Sequence, residues 1–350
     1  MRRIPRDPIR FDLFEVYGVY GREEQLSLTD PSAAQSFVHR ARTSIEDGLK
    51  NDAFLYGLRT EAMFEALVAS LGQVRLLKRE DTSDVFTSEN RIELPDFRIV
   101  LTDGQQWLVE VKNFYQGKQP TREFAMTTAY LEGLQRYSVL MGCPLRMAIY
   151  WARWNIWTLI SPDHFRRKNS RMVIELGEAM QANELVILGD KSVATKFPLR
   201  LRFLADKEKP RSVSEDGLAN FVISSVELYC EDRNITDPVE RQIATFLMFY
   251  GRWQFDGPYA VIVDDELEGV ECQWTPQEDH KQGFEIVGSL SDMFSTFYAW
   301  NTLDEDKVVK LRAEVVPGYL GNLIPEGYKG DALPLWRFNI HPKDKPKPTS

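Results

Sequence analysis

The sequence is poor in the residues that build covalent or metal frameworks, with three cysteines and four histidines in 350 residues. Cys143, Cys230 and Cys272 are odd in number and far apart, and His39, His164, His280 and His341 are equally scattered. A disulfide scaffold or a zinc knuckle is therefore not the organising element. Long apolar runs are also missing: no window reaches the ~18 uncharged apolar residues of a spanning helix. Residues 1–12 are charged and broken by Pro5 and Pro8, unlike a secretory signal. A cytoplasmic protein with no membrane partner is expected. No Walker A loop, GxSxG elbow, HExxH or dinucleotide fingerprint occurs, which removes the usual nucleotide-binding and hydrolase alternatives.

What is present is a folded chain. Hydrophobic residues make up 43% and charged residues 27%, which excludes a wholly disordered or collagen-like protein. The length exceeds what one core usually holds, so two domains are expected. The net charge of -9 is unevenly spread. Residues 251–306 hold 13 Asp/Glu against 2 Lys/Arg, leaving the rest of the chain with 41 basic and 39 acidic residues. Between residues 101 and 200 the count is 13 basic to 9 acidic, with a dense run at Arg166, Arg167, Lys168 and Arg171 that suits a polyanion.

Periodicity orders the elements. The first 47 residues, with Pro5, Pro8 and Asp30-Pro31 ahead of a polar helical stretch, read as an extension. Phe64, Leu67, Val68 and Leu71 repeat at helical spacing before Gly72, which predicts a helix over 57–71. A polar loop over 78–93 follows. Phe97, Ile99 and Leu101 alternate with polar residues, as do Trp107, Val109 and Val111, with Thr102-Asp103-Gly104 between them, so a β-hairpin is expected. A second amphipathic helix is predicted over 123–141, then strands over 145–151 and 156–160. A charged stretch at 206–215 marks a boundary. Beyond it come helices over 238–250 and 290–300, strands over 259–263 and 336–340, and a Pro/Lys-rich tail from 342 expected to fray.

The chemistry concentrates in the hairpin, as Pro95-Asp96, thirteen residues, then Glu110-Val111-Lys112. Other Pro-Asp and acid-x-Lys matches at Pro162-Asp163, Asp279-His280-Lys281 and Glu305-Asp306-Lys307 lie in polar sequence, whereas Glu110 and Lys112 sit in a stretch that alternates as a half-buried strand should. With a three-residue loop and Gly104 left-handed, Leu101 pairs with Gln105 and Asp96 falls opposite Glu110. Opposed residues share a face with Cβ atoms about 4.5–5.5 Å apart, close enough for two carboxylates to share one divalent ion. A two-residue turn would instead pair Asp96 with Val111 and split the pair.

This pattern resembles the PD-(D/E)xK nuclease superfamily, which includes restriction endonucleases and Holliday junction resolvases, over roughly residues 57–160. The resemblance implies an α/β fold: a restriction-endonuclease-like core at 48–205, with a central mixed sheet flanked by helices. An α+β accessory domain would follow at 206–341. It further implies Mg²⁺, with Mn²⁺ able to substitute, held by Asp96, Glu110 and the carbonyl of Val111, and Lys112 orienting or deprotonating the attacking water. The family also has a glutamate on the preceding helix. Glu61 lies at the border of the apolar stripe and Glu65 about 40° further from it, so Glu61 is preferred. A glutamine or tyrosine on the following helix is matched by Gln135 or Tyr137. The expected activity is a Mg²⁺-dependent endodeoxyribonuclease acting on DNA, with Arg166, Arg167, Lys168 and Arg171 touching phosphate. A homodimer, and a protein partner on the acidic C-terminal part, are both allowed. The alternative is a catalytically silent nucleic-acid-binding or assembly module on the same fold. Trp151, Trp154 and Trp157 are read as packing residues before base-stacking ones.

Overall fold

The computed structural model describes residues 12–80 and 85–343; the ends of the chain, including most of the expected frayed tail, lie outside them. Two helices, α1 (Asp12–Glu23) and α2 (Pro31–Gly48), occupy the expected extension. Asp30 caps α2 by accepting the N–H of Ser32 at 2.8 Å, and Pro31 takes the first turn, where its missing N–H costs nothing. Helix α3 (Asp52–Leu71) begins five residues before the predicted start because Asn51 caps it, and it ends at Gly72 with φ +85°.

The central sheet has five strands in the order β1 (Val74–Arg79), β2 (Phe97–Leu101), β3 (Gln106–Phe114), β5 (Leu145–Trp151) and β6 (Ile156–Ile160). All neighbours are antiparallel except β3 and β5, whose parallel pairing requires a crossover. Helix α4 (Thr128–Met141) provides it, preceded by the short strand β4 (Phe124–Thr127). The helix predicted over 123–141 therefore starts later, because Phe124–Thr127 pairs with β8 (Arg171–Ile174) and Thr127 then caps the helix. Strand β7 (Arg166–Lys168) completes that small sheet. Strand β1 was not expected: Val-Arg-Leu-Leu-Lys-Arg does not alternate.

The sheet is covered on both faces, which makes the architecture a mixed α/β layer structure. On one side Phe64 and Leu67 of α3 meet Phe97, Ile99 and Val109, with the Phe64 and Phe97 rings 5.9 Å apart. On the other, Leu131 and Leu134 of α4 meet Leu108, Met147 and Ile149. Each such side chain, fully buried, contributes about 1.5–3 kcal/mol. All three cysteines are free and buried.

The chain after β6 adds α5 (Leu176–Gln181), β9 (Ser192–Thr195), β10 (Leu199–Ala205), α6 (Pro238–Tyr250) and α7 (Leu290–Thr302). Strand β9 lies between Glu285–Ser289 and Leu335–Phe338, and β10 is the middle strand of a five-stranded antiparallel sheet. Helix α7 packs on α3, tied by Arg59 Nε to Thr302 Oγ1 at 2.8 Å, and on β6, where Trp157 Nε1 donates to Ser295 Oγ at 2.9 Å. Leu247, Met293, Tyr298 and Leu320 share one buried cluster with Met63 and Leu67. Among the described residues no helix is long and apolar enough to cross a membrane.

Candidate functional site

The β2–β3 hairpin sets the geometry. Gly104, at φ +91°, donates to the carbonyl of Leu101 at 3.0 Å, and Leu101 donates to the carbonyl of Gln105 at 2.8 Å. The ladder pairs Phe97 with Val109, Arg98 with Leu108 and Ile99 with Trp107, the register of a three-residue loop. Phe97, Ile99, Leu101, Trp107, Val109 and Val111 all enter the core beneath α3. The ladder stops at Phe97, behind Pro95-Asp96. Asp96 Oδ2 takes the place of the next rung by accepting the N–H of Val111 at 2.7 Å, and the Asp96 carbonyl accepts the N–H of Glu80 at 2.9 Å.

Glu110 is buried, 1% exposed. Its Oε1 accepts the hydroxyl of Tyr130 at 2.5 Å and the ammonium of Lys112, while Oε2 is buried with no hydrogen-bond partner among the described residues. Lys112 Nζ lies 3.3 Å from the Tyr130 hydroxyl and 5.0 Å from its ring centre. Burial, then the charge of Glu110, pushes the Asp96 carboxyl up to about 7, against the pull of the Val111 N–H; Glu61 adds to the rise and Lys112 opposes it. Burial works against the Lys112 ammonium, but Glu110, Tyr130 and Asp96 together hold its pKa above the ordinary lysine value. Burial, then the carboxylate of Glu110, raises the Tyr130 phenol.

Glu61 and Glu65 both pair with Arg79, at 3.2 and 3.5 Å, and differ in their further partners. Glu61 accepts from Arg79 at 3.2 Å; burial raises its pKa, Arg79 and Lys112 lower it, and Glu110 raises it further. Glu65 is held by a two-pronged contact with Arg312 at 3.0 and 3.1 Å. Among the described residues no group of three His, Cys, Asp or Glu side chains is close enough to hold a metal ion. The site is thus an acidic pair with a lysine, and Glu61 stands outside the pair. Val111 supplies its N–H to Asp96; in an extended strand the carbonyl of the same residue points to the same edge, here the one β2 has left.

Two helix residues differ from expectation. Gln135 is exposed, and Tyr137 donates to Glu80 Oε1 at 2.7 Å, where Arg98 also binds at 2.7 Å. Tyr130 is the α4 residue that reaches Glu110. Its sequence signal was its place two turns before Tyr137, on the same face, but a tyrosine in an apolar stripe reads as packing. Glu80 was also missed, being assigned to a loop. The basic run is partly engaged: Arg166 pairs with Glu123 and Glu175, and Lys168 with Glu123 at 3.0 Å, while Arg167 and Arg171 are exposed. Trp151 and Trp157 are core residues, and Trp154 is exposed under Arg153.

No protein-family model matches the sequence, and no curated protein matches it. A solved structure, the Holliday junction resolvase Hjc of the archaeal hyperthermophile Archaeoglobus fulgidus, is similar over 33% of this chain and 87% of its own, at 14% identity and a TM-score of 0.25.

Proposed function

We propose that this protein is a metal-dependent nuclease that hydrolyses phosphodiester bonds of DNA, with Asp96, Glu110 and the carbonyl of Val111 holding Mg²⁺, or Mn²⁺ in its place. The observation that carries the reading is the unpartnered Oε2 of Glu110, buried beside a second carboxyl whose proton affinity is raised to about 7. A fold has little reason to keep two mutually repelling carboxyls in a buried place unless a cation or proton relieves them. Oxygen donors, two of them anionic, suit a hard divalent ion. Such an ion, when bound, lowers the pKa of a water and polarises a phosphoryl oxygen.

The side chains then have distinct tasks. Asp96 and Glu110 must both be ionised to hold the cation. Lys112, kept protonated by its acidic neighbours, is suited to orienting a water and offsetting charge that develops on phosphate oxygens, more than to removing a proton. Tyr130 fixes one oxygen of Glu110 and leaves the other open. Glu61 adds negative charge at the rim, and Arg166, Arg167, Lys168 and Arg171 are the candidate contacts to the DNA backbone.

A second reading is a catalytically silent nucleic-acid-binding or assembly module. It is favoured by the lack of a third nearby ligand among the described residues and by the Lys112–Glu110 ion pair, which neutralises one carboxylate without a metal. Cleavage of a panel of duplex, single-stranded and branched DNA, with Mg²⁺ or Mn²⁺, separates the two. Cleavage lost in Asp96→Ala supports the nuclease, and absence of cleavage of every substrate by the folded wild type supports the silent module.

A further inference from the structure

The acidic stretch over 251–306 has no part in this chemistry, and its longest element is the hairpin of Trp253–Val263 and Glu266–Pro276. Trp253–Val263 is the terminal strand of its five-stranded sheet, paired on one side only among the described residues. An eleven-residue strand at an open edge offers a row of N–H and C=O groups to any further strand. Edges of this kind are guarded by prolines, bulges and charges. Here Pro258 and the register shift between Asp256 and Tyr259 guard the first half. The second half, Tyr259–Val263, carries only a shift between Val261 and Ile262 and is apolar and open, with Tyr259 48%, Ile262 55% and Val263 50% exposed.

The charges around this stretch select its partner. The hairpin holds six carboxylates and no Lys or Arg. Glu266, Glu268 and Glu271 are neutralised by Arg211, Lys207 and Arg202. Asp256, Asp264 and Asp265 have no ion pair among the described residues, and they stand at the two ends of the bare stretch. Asp264 and Asp265 form the turn itself, both left-handed at φ +50° and +66°, where Asn-Gly is the unstrained choice. A second copy is a poor fit, since antiparallel self-pairing about Val261 carries the acidic Asp264-Asp265 turn of each copy to Pro258 of the other, which has no N–H to donate and lies two residues from Asp256.

We propose that Tyr259–Val263 is a docking edge for an extended, β-branched segment of a partner protein, flanked by Lys or Arg that pair with Asp256 at one end and with Asp264 and Asp265 at the other. Main-chain bonds supply the attachment and the end charges supply selectivity. The test uses the full chain and three labelled peptides with one Thr-Val-Thr-Ile-Thr core and flanks of Lys, Ser or Glu, read by fluorescence anisotropy. The Lys-flanked peptide is expected to bind about tenfold tighter than the Glu-flanked one at low salt, with the advantage shrinking as salt rises. Ile262→Lys should weaken binding by about tenfold, while Ile262→Thr, which keeps a β-branched strand residue, should not. No binding by the wild type, equal binding of the Lys and Glu peptides, or indifference to Ile262→Lys overturns the proposal. So does self-association of the wild-type chain that Ile262→Lys abolishes, which assigns the edge to a second copy.

Discussion

The carboxylate of Asp96 accepts the N–H of Val111 at 2.7 Å, filling the rung that the β2–β3 ladder leaves vacant beyond Phe97. This bond holds a side chain from the end of one strand near Glu110 on the next; burial first, and then the charge of Glu110, push the Asp96 carboxyl up to about 7 against the pull of the bond itself.

A pH dependence of stability follows. The folded chain binds the Asp96 proton more tightly than the unfolded chain, whose value is near 3.8. The stabilisation from that proton is fully present below the unfolded value and is lost as pH rises through about 7. In chelator, the melting temperature of the wild type should therefore fall more between pH 4 and pH 7 than that of Asp96→Asn, which has no proton to lose. Parallel curves for the two proteins would remove the raised pKa.

Tyr130 and Tyr137 share a face of α4 but hold different carboxylates, Glu110 and Glu80. Tyr130→Phe leaves a buried Glu110 oxygen short of a donor, a loss of about 1.5–3 kcal/mol for a hydrogen bond to a charged group. It should lower kcat/KM for cleavage by about tenfold or more, whereas Tyr137→Phe should affect melting and leave kcat/KM near wild type. Equal effects of the two on cleavage would deny Tyr130 its positioning role.

Gly133 sits mid-helix, where Ala would ordinarily stabilise by about 1 kcal/mol. A Cβ there would lie 2.5 Å from Glu93 Cγ and 3.1 Å from the Arg91 carbonyl, so the loop that leads into Pro95-Asp96 passes directly over α4. Gly133→Ala should displace that loop, lowering both melting temperature and cleavage. An Ala variant more stable than wild type and fully active would show that the loop yields freely.

The hairpin was legible because two demands coincide in it. The apolar alternation of Phe97, Ile99, Leu101, Trp107, Val109 and Val111 and the left-handed need of Gly104 select one register; the ladder ends at Phe97, one residue short of the expected Asp96–Glu110 pair, and the Asp96 side chain takes the Val111 N–H instead. The crossover α4 was legible in its body but not at its start, since Phe124–Thr127 finds its partner in β8, far along the chain. Strand β1 escaped for the same reason: Val74–Arg79 takes its conformation from pairing with β2 rather than from an alternating pattern. The roles of Tyr130 and Glu80 depend on which face of α4 meets which end of the sheet, and only the assembled layers fix that. The burial of α7 against α3 through Arg59 and Thr302 joins residues 243 apart and leaves no local trace.

The central claim is that Asp96 and Glu110 form a divalent-cation site, and titration of the folded, metal-free chain with Mn²⁺ by calorimetry tests it most directly. The account predicts saturable binding in the wild type, lost in both Asp96→Ala and Glu110→Gln while their circular dichroism stays native, and stronger above pH 7 than below it, where Asp96 keeps its proton. Absence of Mn²⁺ binding in the wild type, or binding unchanged by either substitution, would contradict it.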